Sequence, residues 1–202
     1  MKRSRLLFTL LLCALLLMAT CLPSLAAAKG HAVYRALNSV GGSFFGHGGV
    51  VSAVSGGTPT YVIHAPGSNE SPYTVTEVTL STFKGDGLDY YSAYYMPGYS
   101  SSVYAKILNY ARQLDDYDVP YIFVNQMTCN LTGGLGTIEV EDITKIRCDG
   151  VIEYCYERAG IELLGRFANN AYYWNISDKV HYIWHMSSDH SPQTQRALMT
   201  PS

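Results

Sequence analysis

One segment, residues 47–65, constrains the fold more than any other part of the chain. Two apolar, β-branched runs, 47–54 and 60–65, flank a Ser-Gly-Gly-Thr turn at 55–58, which predicts a β-hairpin. His47 and His64 lie near its open end. A turn centred between residues 55 and 56 places them directly opposite each other. Moving the centre by one whole residue leaves the two histidines diagonal on one face. Moving it by half a residue would put them on opposite faces of the sheet.

The remaining periodicity predicts an α+β fold. Its predicted elements are further strands at 31–38, 75–80 and 121–124, a helix from Ser101 or Ser102 through Leu114, a helix from Cys148 to about Ala159, an irregular loop at 84–100 and a frayed last dozen residues. No repeat or long linker divides the chain, so we expect one domain.

The first 28 residues read as a secretory signal peptide. Lys2, Arg3 and Arg5 precede the apolar run 6–17, and the small residues 26–28 suit a cleavage site after Ala28. The run is shorter than the ~20 residues that span a bilayer, which disfavours the alternative of a permanent anchor. A lipoprotein that uses Cys21 is a weaker alternative, because the preceding residues depart from the usual pattern. We therefore predict a single secreted or cell-envelope domain at 29–202.

The charge balance excludes one class of function. The chain has 14 basic and 16 acidic side chains, a formal net charge of −2. Loss of the leader removes three basic residues and no acidic ones, which leaves a net charge of −5. A chain without basic excess is not expected to bind nucleic acid.

Three cysteines follow the leader, and their odd number leaves at least one thiol unpaired. Cys148 begins the second predicted helix. Backbone N–H groups at the start of a helix favour a thiolate, which predicts a lowered pKa for Cys148. Asp149 and Gly150 beside it suggest a polar, open first turn. Cys155 lies roughly 10 Å further along the helix, too far for a disulfide with Cys148. The alternatives for Cys148 are an inert buried thiol or a disulfide with Cys129, and pairing of Cys129 with Cys155 stays open.

A thiol nucleophile needs a base, and the base needs an orienting partner. The hairpin supplies both: His47 would take the proton of Cys148, and His64 would orient the His47 ring. The alternative is that both are structural histidines with satisfied hydrogen bonds.

Three motifs resemble those of NlpC-type cysteine peptidases. Residues 148–161 (Cys-Asp-Gly-Val-Ile-Glu-Tyr-Cys-Tyr-Glu-Arg-Ala-Gly-Ile) resemble the family's Cys-Ser-Gly-Phe-Val…Tyr…Ala-Gly helix. Residues 46–51 (Gly-His-Gly-Gly-Val-Val) resemble its His-Val-Gly-Ile-Tyr strand, and residues 61–65 (Tyr-Val-Ile-His-Ala) resemble its Phe-Ile-His-Ala strand. In most of the family the cysteine precedes the histidines, so the order here resembles the circularly permuted branch, with YiiX-like hydrolases and lecithin:retinol acyltransferase relatives.

The resemblance implies a papain-like domain in which the nucleophile helix packs on an antiparallel sheet. It implies Cys148 as nucleophile, His47 as general base and acid, His64 as the orienting residue, the N–H of Cys148 as an oxyanion donor, and no cofactor or metal. An amide of cell-wall peptides is the first expected substrate, and a lipid amide or ester, for an acyl hydrolase or transferase, the second. Asp149 replaces a common Ser and should oppose the thiolate. Gly48, where Val is common, is expected to be a small change.

Two other classes of function compete with the hydrolase. His181, His185, Asp189 and His190 are spaced so that a metal ion could be bound, and His181 is also a rival base for Cys148. A non-catalytic wall-binding module is the third possibility, although such a module has no chemical reason to retain Cys148, His47 and His64 together.

Overall fold

The described part of the chain is an α+β structure in which helices pack on an antiparallel sheet. A computed structural model describes residues 26–36, 46–67, 73–85, 89–123, 126–130, 138–161, 163 and 191–202. The predicted class is therefore confirmed. Within these ranges, no helix combines the length and the apolar composition that crossing a bilayer requires.

Six strands form the main sheet in the order β4-β3-β2-β1-β5-β8, and every neighbouring pair is antiparallel. Its strands are β1 (Ala32–Ala36), β2 (Gly46–Ser55), β3 (Thr58–His64), β4 (Thr76–Thr79), β5 (Tyr90–Tyr95) and β8 (Thr200–Pro201). A separate two-stranded sheet pairs β6 (Met127–Cys129) with β7 (Ile143–Ile146).

Four α-helices and one 3₁₀ helix accompany the described strands. They are α1 (Leu80–Lys84), α2 (Ser101–Asp116), the 3₁₀ helix (Val140–Asp142), α3 (Cys148–Arg158) and α4 (Pro192–Leu198). The predicted helices at 101–114 and 148–159 correspond to α2 and α3. Gly160, which follows the end of α3, has a φ of 91°, a left-handed conformation that favours glycine.

The predicted hairpin is formed by β2 and β3, and its turn is centred between Gly56 and Gly57. Both glycines have positive φ, 56° and 78°, which a tight two-residue turn requires at both central positions. Val50 pairs with Ile63, so His64 is opposite Gly49 rather than His47. The centre thus lies one whole residue beyond the position that would place the histidines opposite each other, and they are diagonal on one face.

Three sequence expectations differ from the structure. The segment 84–100 is not wholly irregular, because residues 90–95 form β5, which pairs with the outer edge of β1. The end of the chain is not frayed, since Ser191 caps α4 by accepting from the N–H of Thr194. The described part of the predicted strand at 121–124, residues 121–123, forms no strand: Tyr121 makes an isolated bridge to Ile146, and residue 124 lies outside the described ranges.

The two faces of the sheet carry separate hydrophobic cores. Neighbouring residues alternate between them, so that Val50 belongs to the larger core and Val51 to the smaller one. Helices α2 and α3 cover the larger core, and Phe83 of α1 packs into the smaller one. This division decides from which side each candidate site residue approaches β2.

Candidate active site

Cys148 is the first residue of α3, and its thiol contacts the main sheet. The preceding residue, Arg147, is the N-cap with extended φ and ψ angles, so α3 starts where the sequence predicts. The residue is about 5% exposed, and the backbones of Asp149 and Gly48 are close enough to its thiol to lower the thiol pKa. Gly48 follows His47 in β2, so the fold brings the candidate nucleophile to the strand of the candidate base.

The N–H of Gly48 is available to the thiol because of its place in the sheet. Hydrogen bonds along a strand alternate between its two neighbours. Val51 bonds to His31 and Gly30 on the β1 side, so Gly48 directs its N–H towards the β3 side. The paired register of β2 with β3 extends only to Val50 and Ile63. The N–H of Gly48 therefore lies beyond the paired residues of β2 and β3, on the side where the Gly48 backbone can lower the pKa of the Cys148 thiol.

His47 and His64 form a buried, directly hydrogen-bonded pair. Nε2 of His47 lies 2.7 Å from Nδ1 of His64, and the ring planes are nearly perpendicular at 85°. His47 stacks on Phe83 at a centroid distance of 5.4 Å, and His64 meets the same ring edge-on at 5.5 Å. The expected pairing of the two histidines on one face is thus found, and the Phe83 ring fixes both.

The imidazoles and α3 lie on opposite faces of β2. A side chain at Gly48 would point at Ile152 of α3, whereas one at Gly49 would point at His64. His47 shares the face of Gly49 by alternation. Within the described residues, no hydrogen bond joins the sulphur of Cys148 directly to either imidazole. The structure thus brings Cys148 to the strand of His47 without bringing their reactive atoms into contact.

Burial dominates the proton affinity of the thiol. The pKa of Cys148 is raised to about 12, mainly by burial and then by the Asp149 carboxylate, although Arg147 and the N–H groups of Gly48 and Asp149 act in the opposite direction. The expectation of a lowered pKa is therefore wrong. Its premise, an open first turn, is also wrong, because Asp149 and Gly150 are both buried. Helix N–H groups favour the thiolate, but the loss of water around the sulphur outweighs them.

Both imidazoles are held neutral by their surroundings. Burial lowers the pKa of His64 to about 3, with a smaller contribution from the Arg35 guanidinium. Burial also lowers the pKa of His47 well below its ordinary value, and His64 and Arg35 add to this effect. Arg35 is paired with His47 across β1 and β2, which explains its influence. At neutral pH the site therefore contains a thiol and two uncharged rings.

A buried polar network supports the first two turns of α3. Arg147 binds Asp149 through two contacts, Nε to Oδ1 at 2.6 Å and Nη2 to Oδ2 at 2.7 Å. The side-chain amide of Gln126 donates to Asp149 and to Glu153. Gln195 of α4 donates to the carbonyl of Asp149 at 2.8 Å and to Glu153 at 3.2 Å. These contacts fix the orientation of the helix that begins with Cys148.

Sequence reasoning missed most of this network. Asp149 and Glu153 are four residues apart, a spacing that places both on one helical face and was the available signal. Gln126 and Gln195 are distant in sequence and carry no comparable pattern, so only the packing of α3 against its neighbours reveals them.

The other cysteines are also free thiols. Cys129 is partly exposed in β6, and Cys155 is buried in α3. Burial raises the pKa of Cys129 to about 12 and that of Cys155 well above its ordinary value. The alternatives of a Cys148–Cys129 or a Cys129–Cys155 disulfide are therefore not realised in this structure.

The predicted metal cluster of His181, His185, Asp189 and His190 lies outside the described residues. Within the ranges that the structure covers, no group of three or more metal-binding side chains is found.

Comparison of the chain with protein-family models, with curated proteins and with solved structures gave no significant match. What the site can do chemically therefore follows from its own residues.

Proposed function

We propose that the chain is a secreted cysteine hydrolase that cleaves amide bonds in cell-wall peptides, with the permuted NlpC-type, papain-like arrangement that its motifs resemble. One observation carries the proposal. The thiol of Cys148, at the start of a helix, lies near enough to Gly48 for the backbone of that residue to lower its pKa, and the adjacent His47 is hydrogen-bonded to His64. A thiol hydrolase requires a nucleophile, a base and an orienting group, and these three residues can supply them.

The hydrogen bond between the imidazoles supports a definite division of roles. When Nε2 of His47 carries the proton, it donates to Nδ1 of His64 and leaves Nδ1 of His47 as the unprotonated base. His64 then holds the His47 ring in this tautomer. His47 and His64 lie on the face of β2 opposite α3, so the proposed proton transfer requires a rearrangement of the β2 end, or of the first turn of α3, that brings Nδ1 of His47 to the thiol.

The proposed reaction is acyl transfer to sulphur followed by hydrolysis. His47 takes the thiol proton as the sulphur of Cys148 bonds to the amide carbonyl carbon, and the N–H of Cys148 stabilises the oxyanion. Protonated His47 donates to the leaving amine as the C–N bond breaks, which leaves a thioester. His47 then removes a proton from water, whose oxygen attacks the thioester. The S–C bond breaks, the acid is released, and the thiol is restored.

The charge state of the resting site fits proton transfer during attack rather than a preformed ion pair. Burial raises the pKa of Cys148 to about 12 and lowers that of His47 well below its ordinary value, so both are uncharged at neutral pH. A bound substrate would change this balance, because the developing oxyanion favours the imidazolium nearby. The predicted leader supports a substrate outside the cell membrane.

The test is hydrolysis of purified cell-wall stem peptides, followed by mass spectrometry, with matched variants. Cys148→Ala should abolish turnover, and His47→Ala should lower kcat by roughly 10²–10⁴-fold. Cys155→Ala and His31→Gln are the controls, since both replace buried residues away from the site. Full activity of Cys148→Ala, or equal losses in His47→Ala and His31→Gln, would contradict the proposal.

A further inference from the structure

The candidate nucleophile lies between two opposite charges that bind each other. Arg147 precedes Cys148 and Asp149 follows it, and their side chains form a two-contact ion pair at 2.6 and 2.7 Å. The Asp149 side chain is fully buried, whereas that of Arg147 is about 15% exposed. A buried charge is screened less than an exposed one, so the Asp149 carboxylate raises the pKa of the neighbouring Cys148 thiol.

The other groups to consider around the thiol are a tyrosine, a histidine and a second carboxylate. Tyr34 of β1 interacts electrostatically with Cys148, and burial, together with the nearby carboxylates, raises its pKa well above its ordinary value. His47 of β2 is uncharged at neutral pH, for the reasons given above. Glu153 lies one helical turn beyond Asp149 and accepts from the amides of Gln126 and Gln195. Arg147 and Asp149 flank Cys148 in the chain, and they are the charged residues that act on the pKa of its thiol.

We propose that Arg147 and Asp149 are positioning residues that control how readily the Cys148 thiol gives up its proton. The Asp149 carboxylate opposes thiolate formation, and the Arg147 guanidinium favours it. Because the guanidinium is bound to the carboxylate, the two effects largely offset each other. This inference rests on the proposed function in which Cys148 is the nucleophile.

The network holds the Asp149 carboxylate in place. Arg147 supplies two donors to Asp149, and Gln126 supplies a third at 3.3 Å. Gln195 holds the backbone carbonyl of the same residue at 2.8 Å. The Asp149 side chain is therefore fixed in position, and asparagine, which is isosteric but neutral, can occupy the same place.

The experiment measures alkylation of the purified protein by iodoacetamide between pH 7 and pH 10, with each cysteine followed separately by mass spectrometry. Compared proteins are the wild type, Asp149→Asn, Arg147→Gln, the Arg147→Gln/Asp149→Asn double variant and Glu139→Gln. Glu139 pairs with Arg158 at the other end of α3, at 2.7 Å, and is a matched control for loss of an ion pair. Cys155, which is fully buried, reports whether a variant has opened.

We expect Asp149→Asn to reach a given Cys148 labelling rate about 1–2 pH units lower than the wild type, and Arg147→Gln to reach it at higher pH. Each unit corresponds to about a tenfold change in thiolate fraction. The double variant should return towards the wild type, and Glu139→Gln should match it.

Equal acceleration in Asp149→Asn and in the double variant would overturn the proposal, because it would mean greater access rather than a change of charge. An unchanged profile in Asp149→Asn would also overturn it. If faster labelling of Cys155 shows that the Asp149→Asn protein has partly unfolded, the labelling profiles of the double variant and of Arg147→Gln are used instead. They are judged against the expectations stated above. Alkylation needs no turnover, so a failure here is distinct from failure of the hydrolase proposal, which the stem-peptide assay reports.

Discussion

Nε2 of His47 lies 2.7 Å from Nδ1 of His64, although the two residues are diagonal rather than opposite in the β2–β3 hairpin. The diagonal arrangement allows this contact because both side chains leave the same face of the sheet. One ring must donate and the other accept, so the protonation of each depends on the other. The two rings therefore act as one unit, and His47 belongs to β2, the strand whose Gly48 lies near Cys148.

The first prediction concerns His64 as the orienting residue. In the stem-peptide assay, His64→Ala should lower kcat by roughly ten- to a hundredfold, less than His47→Ala, because it acts through the His47 ring. His64→Gln retains an acceptor and should restore part of the rate. The measurement is kcat and KM for each variant. A loss confined to KM, or no difference between Ala and Gln, would contradict an orienting role.

The second prediction is a loss of stability in acid. Burial lowers the pKa of His31 to about 4 and that of His64 to about 3, and it lowers that of His47 as well. Unfolded histidines titrate near pH 6.5, so unfolding takes up protons below that pH, and stability falls as the pH falls. Each histidine should contribute up to about 1.4 kcal/mol per pH unit.

Urea unfolding between pH 7.5 and pH 5 measures this slope. His31→Gln should make it shallower by the share of one histidine, while leaving the site histidines in place. A free energy of unfolding that is independent of pH over this range would show that the three rings are not held neutral in the folded protein.

The third prediction concerns stability in alkali. Burial raises the pKa of Cys129 and of Cys148 to about 12. An unfolded thiol titrates near pH 8.5, so the unfolded chain releases protons that the folded chain retains, and stability should fall as the pH rises above about 8.5. Cys129→Ser should reduce this slope. The same urea titration, extended to pH 10, measures it, and a flat profile would contradict the raised values.

The fourth prediction corrects the expectation that Gly48 is a minor departure from a family valine. A Cβ added at Gly48 would lie 2.6 Å from Cδ1 of Ile152 and 3.2 Å from the Tyr34 ring. Gly48→Ala should therefore destabilise the protein by about 1–3 kcal/mol, and Gly48→Val by more. Combining Gly48→Ala with Ile152→Val removes the methyl group that would clash, and this double variant should recover part of the loss. Thermal unfolding measures the four proteins, and equal Tm values for wild type and Gly48→Ala would contradict this packing.

The fifth prediction concerns α4 as a support for α3. Gln195 is fully buried and donates to Asp149 and Glu153. Gln195→Leu leaves those acceptors short of a donor and should cost about 1–3 kcal/mol of stability. Asn109→Ala, at an exposed position of α2, is the control and should change the free energy of unfolding little. A free energy of unfolding for Gln195→Leu that equals the control value would show that α4 does not support the nucleophile helix.

Much of the fold follows from local patterns in the sequence. The alternation in β2 and β3 and the helical spacing in α2 and α3 predict these elements, because each reflects one buried face. The two consecutive glycines were the available signal for the turn centre, which the sequence reading placed one residue too early, because only glycine adopts positive φ at both central positions without strain. The whole-residue difference kept the histidines on one face.

Other features depend on contacts between distant parts of the chain. β5 is a strand because the outer edge of β1 needs hydrogen-bond partners, and the glycines and prolines around it mark its ends rather than its absence. Gln126 and Gln195 join the site only because their segments pack against α3.

The sequence by itself determined the hairpin and the helix that begins at Cys148, whereas the shared face of His47 and His64 depended on the register of the turn. Tertiary structure alone decided how these parts meet and which protonation states the thiol and the two imidazoles have. Cys148 contacts Gly48 from the face opposite to the imidazoles, and its thiol is neutral. The physical reason is that periodicity records which side of an element is buried, whereas a pKa depends on how completely packing removes water from one atom.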